Sequence, residues 1–395
     1  MILVLQLLSI FCYAGVLFVL SYLGIKKKIQ LSIKSILIIG IILRVIVSFS
    51  FISLKHYDTI SYFTIGTLSL QGKTIYPGYA YYHYPYFPGF IYIEALSIFF
   101  QRFGFPYMLF LKLVFSLFDI FNIYFVYILS KKNTRSAFLY AVNPAMIFLS
   151  SAHGQLEAMP MMLSLAAIYF YQKNKEIAAS IALGFAILSK VWPLLFLPFF
   201  LKYTKKWHMY MVSLIIPALS VIIYAMLFNT PVLSILHPPL SYRGGYGSWG
   251  ISTVVHFFLP GDKGLNNAIY KAITNITIAS LTLFMLFQKK TTLLRELFIF
   301  LLIFGAIVLS GANPIWLIPF MLLLFPPKWE YWLSVVSIYY VIGMIGEIFY
   351  SITPFYNQFF INLGLFFAFL LWLVNVTMVI DWLKLRRAYL VKRKV

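Results

Sequence analysis

Apolar stretches succeed one another from Ile2 to Ile380, broken by short segments that collect the lysines and arginines. A transmembrane helix needs about 20 mostly apolar residues, and the stretches recur at about that scale. The pattern predicts spans over Ile2–Gly24, Ile33–Ser53, Tyr107–Ser130, Ala137–Ala152, Ala158–Tyr171, Ile177–Ser189 and Trp192–Leu201. It continues with Met209–Phe228, Ala268–Phe287, Leu297–Leu309, Ile315–Phe325, Trp332–Tyr350 and Phe360–Ile380. The period-two alternation of an outer-membrane barrel is absent. The expected fold is an all-α polytopic membrane protein with about 11–14 transmembrane helices. Segments between Ala137 and Leu201 fall short of a full crossing, so tilted or half-crossing helices with breaks at Pro144, Pro160 and Pro193 are expected there. Phe90–Phe103 is apolar too. A full crossing there would carry Lys131, Lys132 and Arg135 to the wrong side, which predicts a half-inserted or interfacial helix instead.

Basic residues set the sides. Lys26-Lys27-Lys28, Lys131-Lys132, Lys173 with Lys175, Lys205-Lys206, Lys289-Lys290 with Arg295, and the tail from Lys384 to Lys394 belong in the cytoplasm by the positive-inside rule. Four polar stretches then face outward: Lys55–Gly89, Ser151–Glu157, Asn229–Asn267 and Ser310–Pro314. The expectation is a multi-pass cell-membrane protein that starts outside and keeps its C-terminal tail inside. Met1–Ile25 lacks basic residues before its apolar run and a small-residue cleavage site, and reads as a retained span. No repeat, low-complexity segment or soluble domain is visible, so residues 1–395 read as one membrane domain.

Composition narrows the picture further. With 62% hydrophobic and 10% charged residues, the chain is unlike a soluble domain, about a quarter of which is charged. Its formal charge of +21 would suggest nucleic acid in a soluble protein. Here the cations follow the loops, and no nucleic-acid partner is expected. Cys12 is the single cysteine, which excludes an intrachain disulfide and a thiolate metal site. Only ten residues are acidic, so the position of each carries information.

Asp58 opens the first outward stretch. If Tyr57–Leu70 is helical, Asp58 and Tyr62 share a face, next to a loop dense in tyrosine that includes Tyr76, Tyr84 and Tyr86. Such rings suit a membrane interface, and they also suit sugar or isoprenoid binding. The second outward stretch concentrates His153, Gly154, Gln155 and Glu157 between two apolar segments, where polar groups normally line a cavity. Lys190, followed by Trp192-Pro193, is a cation inside apolar sequence that can meet a lipid phosphate, snorkel, or pair with Glu157. Arg243 precedes Gly244-Gly245, a pairing suited to a phosphate grip and equally to a solvated loop. Asp119 and Glu347 fall inside apolar spans, with Arg44 available to neutralise one of them. No Gly-rich phosphate loop, Gly-x-Ser-x-Gly elbow, His-Glu-x-x-His or two-aspartate metal motif occurs.

Taken in order, these residues resemble the GT-C superfamily, most closely glycosyltransferase family 87 and the mannosyltransferases that use polyprenyl-phosphate-mannose. In the first outward loop Asp58, Tyr62, Gly72, Tyr76, and Tyr84-Pro85 with Pro88 follow the family's run of acid, aromatic, glycine and Tyr/Pro cluster. Asn143-Pro144 with Gly154-Gln155-Leu156-Glu157, and Lys190 with Pro193 and Leu197-Pro198, match downstream patterns. A late turn, Ala312-Asn313-Pro314-Ile315-Trp316, is similar as well. The resemblance spans about residues 33–325, leaving 1–32 as an extra N-terminal span and 326–395 as C-terminal spans with a basic tail. Glu157 departs from the family's frequent Asp, and Tyr86-Phe87-Pro88-Gly89 from its frequent Pro-Pro.

The resemblance implies an inverting hexosyl transfer, most simply of mannose, from a polyprenyl-phosphate donor on the extracytoplasmic face. The acceptor would be a glycolipid or lipid-linked glycan. Asp58 would act as general base; Arg243, Lys190 and His153 would hold the donor phosphate; His56, Tyr62, Tyr84, Gln155 and Glu157 would contact substrate. Neither a metal nor a cofactor beyond the lipid-linked sugar is implied, and the partners are membrane lipids, donor and acceptor. The rival class is a transporter or lipid flippase, which would centre on Asp119 and Glu347.

Overall fold

The structure is a computed structural model that describes residues 2–26, 29–54, 57–79, 84–241, 263–307, 313–350 and 354–391. Among the described residues every regular element is helical, as the apolar pattern requires. Five helices are long and apolar enough to cross a membrane: Leu5–Ile25, Ile33–Ser50, Tyr107–Leu129, Trp207–Phe228 and Asn362–Lys384. Shorter apolar helices accompany them, and the chain is an all-α polytopic membrane protein. It divides into two compact units, Met1–Tyr242 and Arg243–Val395.

The first unit begins with α1 (Ile2–Ile25) and α2 (Ile33–Ser50), then α3 (Tyr57–Leu70) and α4 (Ile91–Gln101). Ser32 caps α2 by accepting from the Ser35 amide at 3.2 Å. Helix α4 is 11 residues long, about 16 Å by helical rise, against a hydrocarbon core of about 30 Å. It packs on α3.

Helix α5 (Tyr107–Leu129) is followed by α6 (Thr134–Ala141), the short α7 (Pro144–Ile147) and a π turn, Phe148–His153. Asn133 and Asn143 cap α6 and α7, and Pro144 occupies the first turn of α7, where no amide is missed. The predicted break at Pro144 is present. At Pro160 it is not: α8 (Ala158–Gln172) holds that proline in its own first turn, where the absent N–H costs no intrahelical bond. Helix α9 (Glu176–Ser189) ends at Lys190, whose extended backbone leads into a 3-10 turn, Trp192–Phe196, and α10 (Leu197–Tyr203). After α11 (Val212–Phe228), residues read from sequence as outward loop form α12, Val232–Ser241. Its apolar Val232-Leu233 and Ile235-Leu236 supply a helical face that the nearby Pro238 and Pro239 obscure in the sequence.

The buried polar centre of this unit is an ion pair. Arg44 of α2 and Asp119 of α5, both fully buried, approach to 2.7 Å, and Arg44 also donates to the Ala141 carbonyl at 3.0 Å. Tyr140 donates to Asp119 Oδ1 at 2.8 Å, and Ser150 of the π turn to Oδ2 at 3.2 Å. Ser150, Ser151, Ser116 and Ser48 continue the hydroxyl chain. Arg44 thus neutralises Asp119; the Glu347 side chain lies outside the described residues.

The second unit contains α13 (Lys263–Phe287), α14 (Leu293–Ile307), α15 (Asn313–Leu324), α16 (Trp329–Tyr350) and α17 (Pro354–Val391). Trp332 donates to Asn375 Oδ1 at 2.6 Å and Trp372 to the Ala306 carbonyl at 2.6 Å, so two indoles tie α17 to α16 and α14.

Removing one member of the buried pair leaves an unpaired charge, a loss of about 3–5 kcal/mol in other proteins. Asp119→Leu is expected to lower the melting temperature of the detergent-solubilised chain sharply. The double variant Arg44→Met with Asp119→Leu is expected to recover most of that loss. Failure of the double variant to recover would mean that the hydroxyl network, and not the charge, sets the cost.

Candidate active site

Asp58 sits in the first turn of α3, half-buried, while the π turn ends at His153 and reverses at Gly154. Gly154 has φ +80, and a Cβ there would lie 3.2 Å from the side chain of Lys112, so the turn takes glycine for both reasons. The reversal aims Gln155 at α3. Gln155 Nε2 donates to Asp58 Oδ2 at 2.7 Å across nearly a hundred residues of sequence. Its own Oε1 is buried and accepts no hydrogen bond among the described residues.

Two residues on, Glu157 is buried and ion-paired with Lys190 at the end of α9. Lys190 Nζ also lies 5.3 Å from the centre of the Tyr86 ring. Of the roles open to Lys190 in the sequence, this geometry shows the pair with Glu157. The first loop reaches Lys190 because Gly89 packs against Leu188, where a Cβ would come within 2.4 Å of the leucine side chain.

Tyrosines join the two halves. Tyr62, on the α3 face of Asp58, is buried and packs edge-to-face on Phe90 at 5.2 Å. Burial pushes its hydroxyl well above the ordinary tyrosine range, reinforced by Tyr86, Asp58, Glu94 and Glu157. Tyr62 therefore stays a neutral donor among three carboxyl groups. Tyr84 is buried, donates to the Phe87 carbonyl at 3.2 Å and meets Tyr86 edge-to-face at 5.1 Å. Tyr76 donates to the Tyr86 carbonyl at 2.7 Å, and Tyr224 of α11 accepts the Ile75 amide at 3.1 Å, so the loop is fastened to a distant helix.

Of the residues singled out from sequence, Asp58, Tyr62, Tyr84, Gln155, Glu157 and Lys190 gather here. His153 is buried at the end of the π turn. His56 and Arg243 lie outside the described residues. Among the described residues no three His, Cys, Asp or Glu side chains form a metal-holding group.

Residues 93–250 match the sequence profile of glycosyltransferase family 87. The chain resembles that family. No curated protein matches it. The match supports a GT-C-like membrane glycosyltransferase. His153, Gln155, Glu157, Lys190 and Arg243 lie inside the matched stretch; His56, Asp58, Tyr62 and Tyr84 precede it.

Two residues escaped the sequence reading. Lys112, inside the predicted span Tyr107–Ser130, is fully buried, donates to the Phe51 carbonyl and lies beneath Gly154. A lone lysine in an apolar run is costly in a bilayer, and that was the available signal. Glu94 is the second: it lies in the stretch Phe90–Phe103, which reads as apolar in the sequence. Its carboxyl is fully buried, and neither oxygen has a hydrogen-bond partner among the described residues. Burial holds it well above the usual carboxylate range, so it is a neutral acid near Tyr62 and Tyr84.

The folded chain therefore keeps a proton on Glu94 that the unfolded chain releases. Stability falls as pH rises from the ordinary carboxylate range toward the folded-state value, and the loss is complete above it. Glu94→Gln keeps the size and removes the titration. Its melting temperature relative to wild type is expected to climb between about pH 5 and pH 8. A difference that does not change with pH would mean that Glu94 is ionised in the fold.

Proposed function

We propose that the chain transfers a hexose, most simply mannose, from a polyprenyl-phosphate donor to a glycolipid or lipid-linked glycan. The site would face the extracytoplasmic side of the cell membrane, with the basic C-terminal tail in the cytoplasm. The observation that carries the reading is the Gln155–Asp58 hydrogen bond, with Gln155 Oε1 unpartnered among the described residues. Amide donation to Oδ2 fixes the orientation of the carboxylate and leaves Oδ1 to take a proton. The unpartnered amide oxygen beside it is a second acceptor, and an acceptor sugar brings hydroxyls in pairs.

In the transfer, the acceptor hydroxyl oxygen bonds to the anomeric carbon while its proton passes to Asp58. The bond from that carbon to the lipid phosphate oxygen breaks on the opposite face, and its electron pair leaves with the phosphate. Inversion follows from this single displacement. Lys190 has a ring face on one side and Glu157 on the other, and swinging from the carboxylate to the departing phosphate would let it offset charge that develops there. His153 and Arg243 are proposed as further phosphate contacts, and His56, Tyr62 and Tyr84 as substrate contacts. No metal is required by this scheme.

The decisive assay is transfer of radiolabelled mannose from polyprenyl-phosphate-mannose to membrane lipid. Asp58→Asn is expected to lower the rate by about 10²–10⁴-fold, with the melting temperature little changed. Equal rates in wild type and variant would remove Asp58 as the base.

Lys190 and Glu157 are separated by a cycle. If Lys190 serves the phosphate, Lys190→Met stays slow even when Glu157→Leu removes the charge left behind. Recovery of the rate in the double variant would assign the pair a structural role only.

A further inference from the structure

One end of the second unit holds an apolar cavity with a charged mouth. Phe298 and Leu302 of α14, Leu324 of α15 and Met378 of α17 wall a space of about 310 Å³, with Arg295 and Asp381 at its rim. The shape has a clear origin. Trp372 pins α17 to the Ala306 carbonyl of α14, and the cavity opens on the Arg295 and Asp381 side of that tie, about 13–17 Å from it at the mouth by helical rise.

The level in the membrane follows from the helices themselves. Arg295 is in the first turn of α14, Pro326-Pro327 joins α15 to α16, and Asp381 lies near the end of the apolar window Asn362–Lys384. Helix ends with charged or proline residues of this kind suit the boundary between hydrocarbon and water. Trp382 joins the lining there, a side chain suited to that boundary, and the exposed Lys289-Lys290 precede α14.

Charge at the mouth is unbalanced. Asp381 is taken by Lys328 at 2.8 Å. The Arg295 guanidinium makes no hydrogen bond or ion pair with any described residue. One positive charge with five donors therefore stands over a cleft whose walls forfeit dispersion contacts when nothing fills it.

We propose that this cavity binds one anionic glycerophospholipid, with an acyl chain laid along Leu302 and Met378 and the phosphate gripped by Arg295. Guanidinium meets phosphate through two parallel N–H···O bonds, and the chain's methylenes replace the missing contacts. A zwitterionic lipid fills the same space but carries its own cation to Arg295, so the anionic lipid is preferred. The site lies within the second unit and is independent of the transfer chemistry proposed above.

The test uses the full chain in nanodiscs of equal phosphatidylglycerol and phosphatidylcholine, with retained lipid counted by native mass spectrometry. Wild type is expected to retain phosphatidylglycerol over phosphatidylcholine by about fivefold or more. Arg295→Ala is expected to bring the two lipids to parity, and Leu302→Trp, which fills the cleft, to lose both. Lys289→Ala, outside the cleft, is expected to behave as wild type. Should Leu302→Trp fail to fold by circular dichroism, Met378→Phe serves as the filling variant. Equal retention of the two lipids by wild type, or a preference untouched by Arg295→Ala, overturns the proposal. Lipid displaced by inorganic phosphate alone would reduce the site to an anion contact and overturn the acyl-chain part.

Discussion

The first unit depends on the buried pair of Arg44 and Asp119. Two charges taken fully out of water are tolerated only with near-complete hydrogen bonding, and here they recruit Tyr140, Ser150 and the Ala141 carbonyl. That demand fixes α2, α5 and the π turn against one another at a single point. A π turn is an insertion in a helical path, and the Ser150 hydroxyl anchors it, its one proton shared between the Met146 carbonyl at 2.8 Å and Asp119 Oδ2 at 3.2 Å. Gly154 and Gln155 follow directly. The position of the amide that meets Asp58 is therefore set by a charge pair deep in the same helix bundle.

Three carboxyl groups near Tyr62 have three environments. Asp58 is half-buried and held by an amide; Glu157 is buried against a lysine; Glu94 is buried with no partner among the described residues. Environments that differ in this way divide the labour of acid–base chemistry among chemically similar side chains. The tyrosines keep the division stable. Their rings seal the ground between α3, α4 and the end of α9, and their hydroxyls remain neutral because burial opposes the charged form. A site of this composition offers faces to a sugar ring or an isoprenoid and fixed donors to a hydroxyl or phosphate. Both suit the glycosyl transfer proposed above.

The apolar segments were legible because hydropathy is local: a run such as Tyr107–Leu129 needs no partner to declare itself. The helix at Tyr57–Leu70 was readable as a conditional, since Asp58 and Tyr62 four apart make sense only on one face. Pro160 and Val232–Ser241 were misread for a shared reason. A proline reports whether an amide is missing, and whether that matters depends on its place in the helix, which the neighbouring turn decides. Glu94 and Lys112 were passed over because each is a single polar residue inside an apolar run, and burial is a property of what packs against it.

The sequence by itself determined the class of protein: all-helical, membrane-embedded, with its polar chemistry in a few short stretches whose order resembles a glycosyltransferase family. It also narrowed Lys190 to a small set of partners that included Glu157. Only the tertiary structure decided which of those was used, that Gln155 reaches Asp58, and that Glu94 stands near Tyr62 with no hydrogen-bond partner among the described residues. The physical reason is range. Hydrophobic periodicity and capping act over a few residues, whereas a hydrogen bond from Gln155 to Asp58 spans the whole of α4 to α7 and exists only in the folded chain.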